Sequence, residues 1–130
     1  MRVFKTKVFR RFQRKENLSD DALCAAVFRA EQGLVDADLG GGLIKQRVAR
    51  KGQGRSGGYR TIIAYRTAER AVFIFGFAKS RMANLSPDDE TDLKQAGAVL
   101  LGLSAAAIET AIIEGELREI ECDAEGQDED

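Results

Sequence analysis

The sequence contains no histidine and no tryptophan, and it has only one proline and two cysteines. The lack of histidine excludes Ser-His-Asp triads and His–Cys zinc sites, and it removes the side chain most often used as a general base. No apolar run approaches the ~20 residues that a membrane helix requires. The first residues, Met-Arg-Val-Phe-Lys, lack the apolar segment of a secretory signal. We therefore expect a soluble, cytoplasmic protein.

The two cysteines, Cys24 and Cys122, are far apart in the sequence and show no metal-ligand spacing. We interpret them as reduced thiols, with Cys24 as a small buried residue beside an apolar helix face. A chain of 130 residues is long enough for one hydrophobic core. We expect a single domain over residues 1–121 and a disordered acidic tail over residues 122–130.

The net charge of −1 conceals an uneven distribution along the chain. Residues 1–82 contain 18 Lys and Arg against 7 Asp and Glu, whereas residues 83–130 contain 2 against 14. A basic body of this kind favours an anionic partner. The acidic tail is most simply a segment that promotes solubility. A sharper hypothesis is that residues 123–130 cover the basic surface electrostatically, which salt would weaken.

The hydrophobic pattern predicts an α+β domain. Helical spacing predicts two N-terminal helices, the second capped by Ser19, and Ser86 and Ser104 mark the starts of C-terminal helices. Three antiparallel strands follow the N-terminal helices, the last two joined by a turn at residues 67–70, and residues 116–121 suggest a short edge strand. Residues 36–42 and 50–57 are predicted as loops. The expected fold is a small antiparallel sheet with an N-terminal strand, two N-terminal helices on one face and a C-terminal helical segment; the opposite face would remain open.

The stretch over residues 45–60 has Lys or Arg at six positions, no acidic residue and four glycines. It cannot bury itself, because each cation would lose hydration without gaining a partner. Accessible backbone and concentrated positive charge suit a polyanion, of which nucleic acid is the commonest. Residues 52–57 match the pattern G-x-G-x-x-G, but a strand pattern follows them where a dinucleotide site needs a helix. We therefore reject a dinucleotide site.

Strand alternation places Lys45 and Arg47 on the same side of their strand, with Arg60 on the next strand. A basic sheet face with aromatic rings nearby could hold phosphates and stack bases. Tyr59 is as consistent with a core position as with a site position. The phenylalanines of the following strand are better explained as core residues: Phe73, Phe75 and Phe77.

The order of elements, the Gly-Leu-Ile-Lys-Gln-Arg strand, the Arg-Ser-Gly-Gly-Tyr-Arg motif ending at Arg60 and the Phe-Gly-Phe-Ala-Lys strand end resemble the RelE/HigB family of bacterial toxins. The resemblance extends from about residue 3 to about residue 101. It implies a small cytoplasmic endoribonuclease that cleaves messenger RNA, mostly on the ribosome. It also implies a cognate antitoxin, which in the HigB branch carries a helix-turn-helix domain. The oligomeric state is left open.

Matched by position, the resemblance implies four catalytic residues: Lys45, Arg47, Arg60 and Lys79. It is extended to five RNA-binding candidates: Arg50, Lys51, Arg55, Tyr59 and Arg81. The implied chemistry needs no metal or other cofactor, because RNA supplies its own nucleophile, the 2′-hydroxyl, and the protein has to align it and neutralise charge. Lys45 could act as a base only if neighbouring cations lowered its pKa, since an ordinary lysine titrates near ~10.4.

Two alternatives remain open. Many relatives in the HigB branch continue with Asn-Glu after the lysine that matches Lys79, and this chain continues with Ser80-Arg81. A basic sheet that grips RNA, ribosome or a partner protein without cleaving is therefore one alternative. The other is a relative of the ParE type, which poisons DNA gyrase on the same fold. The cluster of Lys45, Arg47 and Arg60 favours the nuclease over the gyrase poison, because a gyrase poison needs no phosphate-cleaving cluster.

Overall fold

The computed structural model describes residues 1–50, 54–79 and 84–122, with the side chains of all of them except residues 50 and 54–57. Its elements follow in the order β1 (Arg2–Thr6), α1 (Lys7–Glu16), α2 (Asp20–Glu31), β2 (Ala37–Gly40), β3 (Leu43–Arg50), β4 (Gly54–Arg66), β5 (Arg70–Ala78), α3 (Pro87–Gly102), α4 (Ala105–Ile113) and β6 (Leu117–Ile120). The strands form one sheet in the order β2-β3-β4-β5-β1-β6. All neighbours are antiparallel except β1 and β5. The predicted α+β class is confirmed.

The helix starts are set by serine caps that the sequence predicts. The hydroxyls of Ser19, Ser86 and Ser104 each accept a hydrogen bond from the backbone N–H three residues later. This bond satisfies a donor that the first turn of a helix leaves unpaired. Asn17 ends α1 in the left-handed region, with φ of 57°, which asparagine adopts more readily than most residues.

Helices cover both faces of the sheet, so the expectation that they would share one face is wrong. On the first face, α1 and α2 pack over β1, β3, β4 and β5 through Phe9, Leu23, Val27, Ile63 and Phe73. On the second face, α3 and α4 pack over the same strands and β6 through Phe4, Leu43, Ile62, Leu101 and Ile108. The C-terminal helices carry an apolar stripe of their own, and burying it requires the other side of the sheet.

Gly97 lets α3 approach the second face closely. A Cβ built at this position would lie 3.1 Å from Cδ1 of Leu43 and 3.6 Å from Cβ of Ala64. The C-terminal end of the same helix is fixed by Arg70, whose Nη1 donates to the backbone oxygens of Leu100, Leu101 and Leu103 at 2.9, 3.2 and 3.0 Å. Helix α3 is therefore held over one part of the second face.

Two of the predicted loops contain strand. Residues 37–40, predicted as loop, form β2, which pairs with β3 at the edge of the sheet. Strand β4 begins at Gly54, inside the connection predicted over residues 50–57. The edge strand predicted over residues 116–121 is confirmed as β6. Within the described part of the chain, no single helix is long and apolar enough to cross a membrane, and only the bent pair α3 and α4 reaches that length and composition together.

Cys24 and Cys122 form a disulfide, so the interpretation as two separate reduced thiols is wrong. Their Cα atoms are 5.5 Å apart although 98 residues separate them in the chain. The cause is the sheet order: β6 pairs with β1, and α2 packs over β1, so the end of β6 reaches the side of α2. The tail predicted to be disordered over residues 122–130 begins at Cys122, which the disulfide holds to α2; residues 123–130 lie outside the described residues.

Candidate functional site

Alternation along β3 and β4 brings the predicted cations to one face of the sheet. Leu43 and Ile62 pack under the C-terminal helices, which identifies the second face. Lys45 and Arg47 follow Leu43 at two-residue steps, and Arg60 lies two residues before Ile62. Arg60 pairs directly with Arg47 across the two strands, and Lys45 pairs with Ile62. Directly opposite residues have Cβ atoms about 5 Å apart and diagonal ones about 7–8 Å, so these cations are close neighbours.

Arg60 is the residue that most clearly lacks a partner. Its side chain is half-buried, and its Nη1 is the one buried side-chain nitrogen or oxygen without a hydrogen bond among the described residues. Leaving a buried polar donor unpaired costs about 1–3 kcal/mol, and more when the group is charged. On its other side Arg60 pairs with Phe77 of β5, which is 5% exposed and offers no side-chain acceptor. An external anion would satisfy this donor.

Lys45 has one light contact and remains accessible. Its Nζ donates to Oδ1 of Asn84 at 3.2 Å, in an exposed arrangement. The same oxygen accepts the backbone N–H of Leu85 at 2.9 Å, which fixes the asparagine at the start of the segment leading into α3. Asn84 thus orients the ammonium group without neutralising it.

Arg47 differs because the chain supplies it with a carboxylate. The carboxylate of Asp36 accepts the backbone N–H of Arg47 at 2.6 Å and its guanidinium at 3.3 Å. The guanidinium of Arg29 lies 3.9 Å from the same carboxylate. The Arg47 side chain is 42% exposed, so this pair is a weak one. Arg47 is brought to the second face, but it is directed to the β2 edge of the sheet.

Tyr59 is not part of this surface, so the prediction that it binds RNA is wrong. It is 2% exposed and packs on the first face with Ala26, Val48 and Ala78. Its ring meets the edge of Phe12 at a centroid distance of 5.6 Å. Consecutive residues of a strand point to opposite faces, so Tyr59 and Arg60 cannot both face one ligand. That signal was present in the sequence.

The remaining candidates lie at the same end of the sheet or outside the described residues. Lys79 is exposed immediately after β5, next to Ala78, which pairs with Tyr59. Of the other predicted RNA contacts, Arg50 and Arg55 belong to β3 and β4, but their side chains lie outside the described part, as do all atoms of Lys51 and Arg81. Phe73 and Phe77 are confirmed as core residues, and Phe75 is partly buried against the second-face core. Asp36, which pairs with Arg47, and Asn84, which accepts from Lys45, were not predicted from the sequence. Their positions depend on strand β2 and on the path of the chain into α3.

Lys45 and Arg60 therefore form a positively charged patch on the second face, with Lys79 immediately after β5 and Arg47 directed to the sheet edge. We call it the cation hollow. It combines the buried Nη1 of Arg60, which has no acceptor among the described residues, with the ammonium of Lys45 held by Asn84.

The comparisons with known proteins agree with this architecture. A search of curated proteins finds no match. A family model described as the RelE toxin of the RelE / RelB toxin-antitoxin system matches residues 1–120. That match spans the whole sheet, all four helices and the cation hollow. By fold and by family match, the chain belongs to the RelE toxin family of toxin–antitoxin systems.

Proposed function

We propose that this toxin is a metal-independent endoribonuclease that cleaves messenger RNA, with the cation hollow as its active site. The observation that supports this best is the buried Nη1 of Arg60, which has no acceptor among the described residues. Structural arginines are normally satisfied by groups of their own chain. A phosphate oxygen entering the hollow would supply the missing acceptor through a charge-assisted hydrogen bond.

The reaction uses the substrate's own nucleophile. The 2′-oxygen of a ribose gives up its proton and forms a bond to the adjacent phosphorus, and the bond from that phosphorus to the 5′-oxygen of the next nucleotide breaks. The leaving oxygen takes up a proton, so the products carry a 2′,3′-cyclic phosphate and a 5′-hydroxyl. The negative charge that develops on the phosphoryl oxygens is what the protein must stabilise.

The roles of the four residues follow from their positions. Arg60 braces the phosphoryl oxygens with its planar guanidinium, a geometry that lysine does not provide. Lys45, oriented by Asn84, contributes a second positive charge beside the phosphorus. Lys79, immediately after β5, holds the leaving nucleotide or its phosphate. Arg47, tethered to Asp36, contacts a phosphate further along the strand. Arg50, Lys51, Arg55 and Arg81 stay predictions for further phosphate contacts.

Family membership implies a cognate antitoxin as partner. We propose that this antitoxin carries a helix-turn-helix domain and that cleavage takes place on the ribosome, in the cytoplasm.

The proposal is tested by analysing the ends of the cleaved RNA. The purified toxin is incubated with a messenger RNA, both alone and in a translating extract. We expect fragments that end in a 2′,3′-cyclic phosphate, in the presence of EDTA as well as without it. Replacing the ribose at the cleaved position by 2′-deoxyribose should abolish cleavage there. If the RNA stays intact under both conditions, the nuclease proposal is wrong and the alternative of a non-cleaving binding module is favoured.

Growth of bacteria expressing the toxin without its antitoxin gives a second test. We expect growth arrest by the wild type, relieved by Arg60→Ala at equal soluble expression. The matched control is Arg66→Ala, on the same strand and, by alternation, the same face, where the arginine is paired with Glu69 at 3.3 Å on the surface. This control should still arrest growth. Arrest by Arg60→Ala with intact messenger RNA would point to a target such as gyrase.

A further inference from the structure

A second cationic site lies on the first face of the sheet, at the edge opposite β2. It is a pocket of about 380 Å³ between the C-terminal half of α1 and strand β6. Four cations and two amide side chains line it: Lys5, Arg10, Arg14, Arg118, Gln13 and Asn17. Lys5 and Arg118 are directly paired across β1 and β6. We call it the edge pocket.

The interior of the edge pocket is built by hydrogen bonds. The Lys5 side chain is only 9% exposed, and its Nζ donates to Oε1 of Gln13 at 2.8 Å and to Oδ1 of Asp20 at 2.7 Å. Arg10 donates to the backbone oxygens of Lys5 and Gly115 at 3.3 and 2.9 Å. These contacts fix the floor of the pocket and leave its rim to Arg14 and Arg118.

Among the described residues, the side chains that line the pocket carry more positive charge than the carboxylates bonded to them. Asp20 is the carboxylate hydrogen-bonded to its floor, against four cations. Arg14 and Arg118 are exposed, and within the described residues neither has a hydrogen bond or an ion pair. Burial lowers the pKa of the Arg10 guanidinium, the nearby charges of Arg118 and Arg14 lower it further, and the carboxylate of Glu116 opposes them in part. Like charges held this close repel one another, and an anion placed among them would relieve that repulsion.

The acidic tail begins within reach of this pocket, beyond the far end of β6. Cys122 is fixed to Cys24, which lies four residues, or about 6 Å of helix rise, after Asp20. Arg118 lies four residues before Cys122 on β6. Residues 123–130 carry five carboxylates in eight residues and can reach up to ~27 Å when extended. An acidic segment tethered this near to a cationic pocket has an effective concentration there of about 1 mM or more.

We infer that the edge pocket is the docking site of the chain's own acidic segment, residues 123–130. The sheet order separates this segment from the cation hollow. Strand β3, which carries Lys45, is four strands away from β6, or about 19 Å across the sheet, and Lys45 faces the other side. A segment stretched that far would have few residues left to bind. We therefore expect the tail to bind the edge pocket, and not the basic stretch of residues 45–60. This inference does not depend on the nuclease proposal.

The inference is tested by comparing the backbone amide NMR shifts of the full chain with those of a chain that ends at Cys122. Both carry Arg60→Ala, so that their production does not depend on toxicity. Apart from residues 119–122, which the new C-terminal carboxylate itself perturbs, we expect shift changes at residues 10–18 and at Arg118. These changes should disappear in 1 M NaCl, where the Debye length is about 3 Å. Changes at residues 45–60, or none at either place, would overturn the inference.

Matched variants separate the pocket from general basicity. Arg14→Gln combined with Arg118→Gln removes the two uncompensated cations at the rim and should reduce the shift changes at least two-fold. Arg11→Gln combined with Lys15→Gln removes the same charge from exposed positions of α1 that do not line the pocket, and should leave the changes nearly intact. Equal losses in the two double variants would mean that the tail follows net charge only, which also overturns the inference.

Discussion

The arginines at the two ends of the second sheet face differ in whether the chain supplies their hydrogen-bond acceptors. At the end near the C-terminus of α3, Arg70 donates to three backbone oxygens, and Arg2 forms a two-pronged pair with Glu119 through bonds of 2.9 Å each. At the other end, Arg60 has a buried nitrogen with no acceptor among the described residues. The first end is closed by groups of the chain itself, whereas the second keeps a buried donor without an acceptor among the described residues. A guanidinium whose acceptors the fold provides stabilises the fold; one whose acceptor is missing is available for a ligand.

This comparison predicts opposite outcomes for substitutions at the two ends. Arg60→Ala should lower the rate of RNA cleavage by about 100- to 1000-fold, the usual cost of removing one donor that stabilises transition-state charge. The free energy of unfolding should change by less than about 1 kcal/mol, since the Arg60 side chain has no hydrogen bond to another described residue to lose. Cleavage kinetics and urea unfolding measure the two quantities. A large loss of stability in Arg60→Ala would show that this arginine belongs to the fold.

Reduction of the disulfide should act on stability alone. The bond closes a loop across 98 residues between the β6 edge and α2, and opening such a loop typically costs about 2–4 kcal/mol. Cleavage by the folded fraction should be unchanged, because the bond lies on the first face, away from the cation hollow. Urea unfolding with and without dithiothreitol measures the effect, and the Cys24→Ser variant serves as a control that reductant should not affect. A change in cleavage rate on reduction would show that the disulfide and the cation hollow are coupled, contrary to this expectation.

Arg70→Ala tests the closed end directly. It leaves three carbonyl oxygens at the end of α3 without their charged donor, and hydrogen bonds from a charged group contribute about 1.5–3 kcal/mol. We expect a loss of about 2 kcal/mol in the free energy of unfolding and no change in the cleavage rate of the folded protein. Arg70→Lys should be more stable than Arg70→Ala but less stable than wild type, because an ammonium lacks the planar set of N–H donors that a guanidinium has.

The smallest effect concerns the pair of Arg2 and Glu119. The hydrogen bond from Arg2 lowers the pKa of Glu119 against the opposing effect of burial. A lowered folded-state pKa gives stability that is present above the unfolded value of about 4.3 and is lost as the pH falls through the folded value. Glu119→Gln should therefore cost about 1 kcal/mol or less near pH 7, since the pair is partly exposed. The difference from wild type should vanish near pH 2–3 in urea unfolding. A difference that persists there would assign the effect to packing.

Much of the fold could be predicted from local chemistry. Ser19, Ser86 and Ser104 mark the starts of their helices, because an N-cap depends only on neighbouring residues. The alternation of Lys45 and Arg47 with Ile44 and Val48 marks a strand whose two faces differ. These signals need no knowledge of distant residues. They also identified the cations of the hollow, because charge that cannot be buried must face outward.

The features that the sequence did not reveal depend on register between distant segments. Strand β2 has a glycine and an aspartate in a four-residue run, and only its pairing with β3 makes it a strand. The bond between Asp36 and Arg47 and the disulfide follow from strand and helix neighbours that no local pattern specifies. Tyr59 is a different case, since strict alternation with Arg60 would have placed it in the core.

The pairing of β1 with β6 has a consequence for how the molecule assembles. Val3 lies opposite Ile120, 117 residues away along the chain, whereas β3, β4 and β5 are joined in sequence as successive antiparallel neighbours. Loop-closure entropy makes distant pairings form late, so we expect the three central strands to nucleate folding and β1 and β6 to join afterwards. Pulse-labelled hydrogen exchange during refolding should then protect amides of residues 59–66 before those of residues 117–120. The strands that carry Lys45 and Arg60 would thus be the folding nucleus, and selection for a fast-forming hairpin and for the proposed active site would act on the same residues.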